Sequence, residues 1–103
     1  MPTKTESVVK PRIEPKINIK PPPSYKVIYI NDEVTTMEFV IESLMNFFDY
    51  NTDSAVKITQ DIHEAGAAVV AVLPFEVAEQ KAMDSVGIAR NNGFPLSVSV
   101  EAE

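Results

Sequence analysis

The chain predicts an α+β domain, with strand, helix, helix, strand, helix and strand following an irregular head. Three observations carry that prediction. Tyr25-Lys26-Val27-Ile28-Tyr29-Ile30 is aromatic and β-branched, the composition of a strand. Apolar residues recur at helical spacing after Met37, after Ala55 and after Phe75. Leu96-Ser97-Val98-Ser99-Val100 alternates cleanly, as a strand with one buried face does. Three strands covered by helices make a compact α+β sandwich. The two later strands flank or pair with the first, in an order that periodicity leaves open.

Residues 1–24 hold six of the eight prolines, which remove amide donors and disfavour pairing. They read as a flexible tail, with Pro21-Pro22-Pro23 in polyproline-like extension. Residues 25–103 make the folded domain. After the first strand, Asn31-Asp32 is a loop former. Thr35-x-x-Glu38 fits a capping box, with Val34 and Phe39 placed as a hydrophobic staple. Met37, Val40, Ile41, Leu44, Phe47 and Phe48 continue that helix to about Asp49-Tyr50. Asn51 or Thr52 caps the second helix, whose stripe is Ala55, Ile58, Ile62 and Ala65, and Gly66 ends it. Ala67 to Leu73 has the unbroken apolar pattern of a buried central strand. Pro74 suits the first turn of the third helix. That helix has Phe75, Ala78, Ala82, Val86 and Ala89 as its inner face and stops at Asn91-Asn92-Gly93.

Composition narrows the chemistry. The net charge is -6, divided between a head of net +3 over residues 1–24 and a remainder of net -9. An acidic globule argues against nucleic acid as its partner. There is no cysteine, and His63 is the sole histidine, so thiolate chemistry and an all-histidine metal site are excluded. The chain has no glycine-rich phosphate loop and no Gly-x-Ser-x-Gly elbow, so no enzyme is expected. Asp32, Glu33 and His63 form no tight metal-ligand motif. No cofactor is expected. No apolar run approaches membrane-helix length and no secretory signal is evident, so a soluble intracellular protein is the default, expected to be a monomer without a membrane partner.

What remains is a binding site. If Asn31, Asp32 and His63 converge, they supply an amide oxygen, a carboxylate and a neutral ring nitrogen. Three acceptors match the three donors of an ammonium. Met37, Val40, Thr59 and Ile62 would stand behind that rim as an apolar pocket. Such a pocket selects a free amino terminus followed by a large apolar side chain. The same residues also suit plainer roles: a turn at Asn31-Asp32, a surface His63 and a core Met37.

The run Asn31-Asp32-Glu33-Val34-Thr35-Thr36-Met37-Glu38-Phe39-Val40 resembles the NDD-x-T-P-MEFV signature of the ClpS family of Clp protease adaptors. The likeness continues through Leu44, Phe47-Phe48, His63-Glu64-Ala65-Gly66, Phe75-Glu76-Val77-Ala78-Glu79, Lys81 and Pro95-Leu96. It implies a three-stranded antiparallel sheet packed with three helices. It also implies an N-end-rule adaptor that binds proteins starting with Leu, Phe, Tyr or Trp. These pass to a Clp ATPase of the ClpA or ClpC kind, paired with ClpP, in the cytoplasm or a plastid stroma. On this resemblance Asn31, Asp32 and His63 hold the substrate α-amino group, and Met37 is a gate against β-branched side chains. Val40, Thr59, Ile62 and Leu96 line the side-chain pocket, Glu76 and Lys81 dock on the ATPase N-domain, and the ATPase engages the tail. The alternative within this resemblance is an interaction module or inhibitor that modulates the protease without delivering N-degrons. The chain departs from the pattern at Thr36 (usually Pro), at Glu33-Val34 (often Asp-Tyr), at Ala67 (commonly Lys) and at Thr59. Thr59 replaces a frequent Met, and its shorter, polar side chain deepens or partly wets the pocket.

Overall fold

A computed structural model describes residues 21–103; the tail expected over 1–24 lies, up to residue 20, outside the described residues. The elements are β1 (Ser24–Ile30), α1 (Met37–Phe48), α2 (Thr52–Ala65), β2 (Ala67–Pro74), α3 (Phe75–Asn91) and β3 (Ser97–Ala102). The expected order holds. The sheet is antiparallel throughout, with β1 in the middle and β2 and β3 at its edges.

The position of β2 corrects one expectation. Its apolar run suggested a central strand, yet Val69 and Val72 are 46% and 45% exposed. Val69 pairs with Ile28 and Val72 with Lys26, on the opposite face from the fully buried Val27 and Tyr29. The helices cover only the Val27 and Tyr29 face, so a continuous apolar strand here does not mean two-sided burial. The pairing slips by one residue between Val27 and Ile28, which leaves Val70 as the extra residue of a bulge. Val70 is buried, and its carbonyl accepts a hydrogen bond from the Tyr50 hydroxyl at 2.6 Å. A buried carbonyl released from the ladder needs such a donor.

The start of α1 corrects another expectation. Thr36, not Thr35, is the N-cap, accepting from the Phe39 N–H at 3.2 Å. Thr35 is already engaged, because its N–H and hydroxyl both donate to Asp32. Moving the cap by one residue removes the capping box and the staple, and Val34 is left 58% exposed. The second helix follows the simpler rule: Asn51 caps it and Gly66 ends it at φ 89°. On its inner face Thr59 is buried, while Ala65 is exposed. Pro74 closes β2 and occupies the N-cap position of α3, one residue before the helix.

The core gathers Val27, Tyr29, Val40, Leu44, Ala55, Ile62, Val70, Ala78, Ala89 and Leu96. Burying one such large apolar side chain contributes about 1.5–3 kcal/mol. The inner face of α3 runs Ala78, Ala82, Ser85 and Ala89, whereas Phe75 is 47% exposed and Val86 only half-buried. Phe75 instead packs edge-on against Tyr25, with ring centroids 4.9 Å apart. Ser85 belongs inside because it partners the buried Tyr29. The Tyr29 hydroxyl contacts Ser43 Oγ at 2.9 Å and Ser85 Oγ at 3.0 Å. Ser43 also reaches the Val40 carbonyl and Ser85 the Lys81 carbonyl. Three hydroxyl protons serve these four contacts, so Tyr29 donates to Ser85 and Ser43 chooses between Tyr29 and Val40. Burial pushes the Tyr29 phenol above its ordinary pKa, against the opposing pull of both serine hydrogen bonds. The cluster ties β1, α1 and α3 together.

Candidate functional site

Asn31, Asp32 and His63 are brought together by the end of the β1–β2 ladder. Gly66 turns the chain out of α2 and directly into β2. Its carbonyl accepts the Asn31 N–H at 2.9 Å, one step beyond the Ile30–Ala67 pair. His63, one turn before Gly66 on α2, thereby arrives beside the loop that leaves β1. Asn31, Asp32, Met37 and His63 line one open depression of about 540 Å³, together with Glu33, Val34, Thr35, Thr36 and Glu38.

Asp32 organises its own loop. Its Oδ1 accepts from the N–H groups of Val34 (2.8 Å) and Thr35 (2.6 Å), and its Oδ2 from the Thr35 hydroxyl (2.7 Å). This is a side-chain turn of the kind Asp favours. Partial desolvation raises the pKa of the Asp32 carboxyl. The Thr35 N–H, the Thr35 hydroxyl, the Val34 N–H and the Arg90 charge together outweigh it, and the net pKa is depressed. The carboxylate is thus held ionised, and Oδ2 keeps lone-pair capacity for one more donor. The plain turn and the acceptor are therefore compatible: the turn orients the carboxylate.

The four residues expected to line the side-chain pocket are closed into the core. Val40 is 7%, Thr59 3%, Ile62 3% and Leu96 1% exposed. Met37, the first residue of α1 and 41% exposed, lines the depression itself, whereas none of these four residues does. The Thr59 hydroxyl donates to the Ala55 carbonyl of its own helix at 2.7 Å. Its polar atom is satisfied there, so its methyl group is the part left to face apolar neighbours.

Glu76 and Lys81 lie apart from this depression, on α3. Glu76 is exposed in the first turn. Lys81 is half-buried, and its ammonium donates to the Phe47 carbonyl at 2.6 Å, 5.8 Å from the centroid of the Phe48 ring. A cation on the last carbonyls of α1 satisfies groups that a helix end leaves open. Sequence reasoning assigned Lys81 only an external role and overlooked Arg90 altogether. The signal for Arg90 was a lone cation in the last turn of α3.

Among the described residues, no three His, Cys, Asp or Glu side chains are grouped to hold a metal ion. No described helix is long and apolar enough to cross a membrane.

Fold and corner together define a small α+β protein with an open polar depression on the surface of an apolar core. Comparison with known proteins gives that class its family. The family profile described as "ATP-dependent Clp protease adaptor protein ClpS" matches residues 20–99. The ATP-dependent Clp protease adapter protein ClpS of Clostridium acetobutylicum is 43% identical over 88 residues, covering 85% of this chain and 87% of its own. That of Nautilia profundicola is 39% identical over 101 residues, 98% of each chain. Among solved structures, Agrobacterium tumefaciens ClpS2 bound to L-phenylalaninamide superposes with a TM-score of 0.78 at 35% identity, covering 81% of this chain and 100% of that one. The chain belongs to the ClpS family of Clp protease adaptors.

Proposed function

We propose that this adaptor captures proteins by a free N-terminal Leu, Phe, Tyr or Trp and hands them to a Clp ATPase of the ClpA or ClpC kind for degradation by ClpP. One observation carries the reading: Asn31, Asp32 and His63, from two separate parts of the chain, share a depression with Met37 at the surface of an apolar core. The related ClpS2 is bound to L-phenylalaninamide. That small molecule has a free α-amino group, a benzyl side chain and an amide where a peptide bond would follow, so it has the chemistry of an N-terminal Phe.

In this reading Asn31, Asp32 and His63 accept the three ammonium protons. The ionised Asp32 supplies the charge. Val40, Thr59, Ile62 and Leu96 receive the side chain, and Met37 crowds out one that branches at Cβ. An acetylated amine loses both its charge and two of its donors, leaving acceptors that the bound peptide covers without partners, which is costly. Glu76 and Lys81 make the contact with the ATPase N-domain, and the proline-rich head is engaged during delivery.

The test is titration of peptides starting with Phe, Leu, Trp, Tyr and Ile, each against its acetylated form. The first four bind as free amines, while Ile and every acetylated peptide bind far more weakly. Equal binding of acetylated and free Phe peptides removes the amine-reading role from Asn31, Asp32 and His63.

A further inference from the structure

Arg90 stands outside the depression, yet it connects the two parts of the site. It lies in the last turn of α3. Its Nη1 donates to the Phe94 carbonyl at 3.0 Å and to the Leu96 carbonyl at 2.9 Å. Both carbonyls belong to the short segment that crosses from α3 to β3. That segment carries Leu96, 1% exposed, into the core. It also sets the Phe94 ring against Phe39 on α1, with centroids 5.2 Å apart. The Arg90 charge is felt at Asp32 as well. A planar guanidinium directs its protons along fixed lines, which an ammonium on a shorter stem does not reproduce.

We infer that Arg90 is a positioning residue for side-chain selection: by clamping the carbonyls of Phe94 and Leu96 it sets how deeply Leu96 stands against the substrate's N-terminal side chain. The inference rests on the site reading above. Its electrostatic sign makes it separable. A positive charge near the rim opposes an incoming ammonium, so neutralising Arg90 strengthens attraction through charge alone. A loss of affinity in a neutral variant therefore comes from the lost clamp. Arg90→Lys keeps the charge and loses the planar fork, so the pair of variants separates the two effects.

The experiment compares wild type, Arg90→Gln and Arg90→Lys with Phe-starting and Leu-starting peptides, at a temperature where circular dichroism shows each variant folded. Arg90→Lys is expected to bind about tenfold more weakly, the loss of the clamp expressed as affinity. Arg90→Gln is expected to bind more weakly than wild type but by less, because it also removes the opposing charge. The ratio of Phe to Leu affinity shifts with them, because the depth of the pocket has changed. A purely structural Arg90 lowers the melting temperature and leaves affinities and ratio unchanged in the folded protein, which overturns the inference.

A measurement on the wild type covers a variant that does not fold. The chain has two arginines, Arg12 and Arg90, so the side-chain nitrogen spectrum is simple to assign. Adding L-phenylalaninamide shifts the Arg90 signals along the same saturation curve as binding; unmoved Arg90 signals in a saturated protein overturn the inference. If wild type binds no free Phe peptide, the site reading falls and this inference with it. If wild type binds and the variants are unchanged, Arg90 alone is refuted.

Discussion

Asp32 and Leu96 both lie under the influence of Arg90, but they are held in place by opposite means. Asp32 is part of a rim whose hydrogen bonds run to residues two and three positions away. Leu96 is part of a wall, packed with Val40 and Ile62 in one buried cluster drawn from distant stretches of chain. Local bonds at an exposed loop contribute little to global stability, whereas a buried leucine contributes much. In the proposed function the rim reads the amine and the wall reads the side chain. The rim is therefore free to change chemically without unfolding the protein, while any change in side-chain preference made at the wall is also a change in the core.

The comparison breaks first at the wall. Leu96→Ala is expected to destabilise the fold by about 2–5 kcal/mol, the cost of deleting buried methyl groups and leaving a cavity. Urea denaturation measures it. A cost below about 1 kcal/mol would place Leu96 outside the core and erase the contrast.

A smaller effect is expected at Asp32. Asp32→Ala removes the bonds to Val34 and Thr35 and costs about 1 kcal/mol at neutral pH, comparable to losing a helix cap. The folded-state pKa of Asp32 is lowered, so its contribution is complete above the unfolded pKa, about 3.9, and is lost as pH falls through the folded value below that. Wild type and variant therefore differ in stability at pH 7 and pH 5 and converge in more acidic solution. A gap that persists unchanged as the acid limb is crossed shows that the carboxylate charge is not what holds the loop.

The smallest stability effect falls on His63, which is exposed on α2. His63→Ala is expected to stay within about 0.5 kcal/mol of wild type, as surface substitutions do. The same variant loses capture of a Phe-starting peptide. A variant that melts early, or one that still binds, removes His63 from the rim.

How much of this was legible in the chain depends on the distance over which each feature is decided. Strand β1, the Gly66 stop and most of each helical stripe were readable because periodicity and capping act within a few residues. The α2 cap stayed open between Asn51 and Thr52, and Ala65, Phe75 and Val86 fell outside the buried faces expected of them. The same rules failed one residue away, at Thr35. There a cap and a side-chain turn compete for the same groups, and Asp32 takes them. Ser85 was half visible: it falls in the spacing of Ala78, Ala82 and Ala89, but only Tyr29 gives a serine reason to be inside.

By itself the sequence determined the element order, the three helices with two of their stops, and, through its resemblance, which side chains to watch. Tertiary structure alone decided that β1 is central, that β2 is a one-sided edge and that Lys81 closes the end of α1. It also decided that Arg90 holds the turn carrying Leu96. The reason is physical. Each of these is the choice of a hydrogen-bond or packing partner on another element, and periodicity records which face a residue presents without recording what meets it. The meeting of Asn31 with His63 is the plainest case, since the register of two strands, continued by the bond from the Asn31 N–H to the Gly66 carbonyl, brings both to one depression.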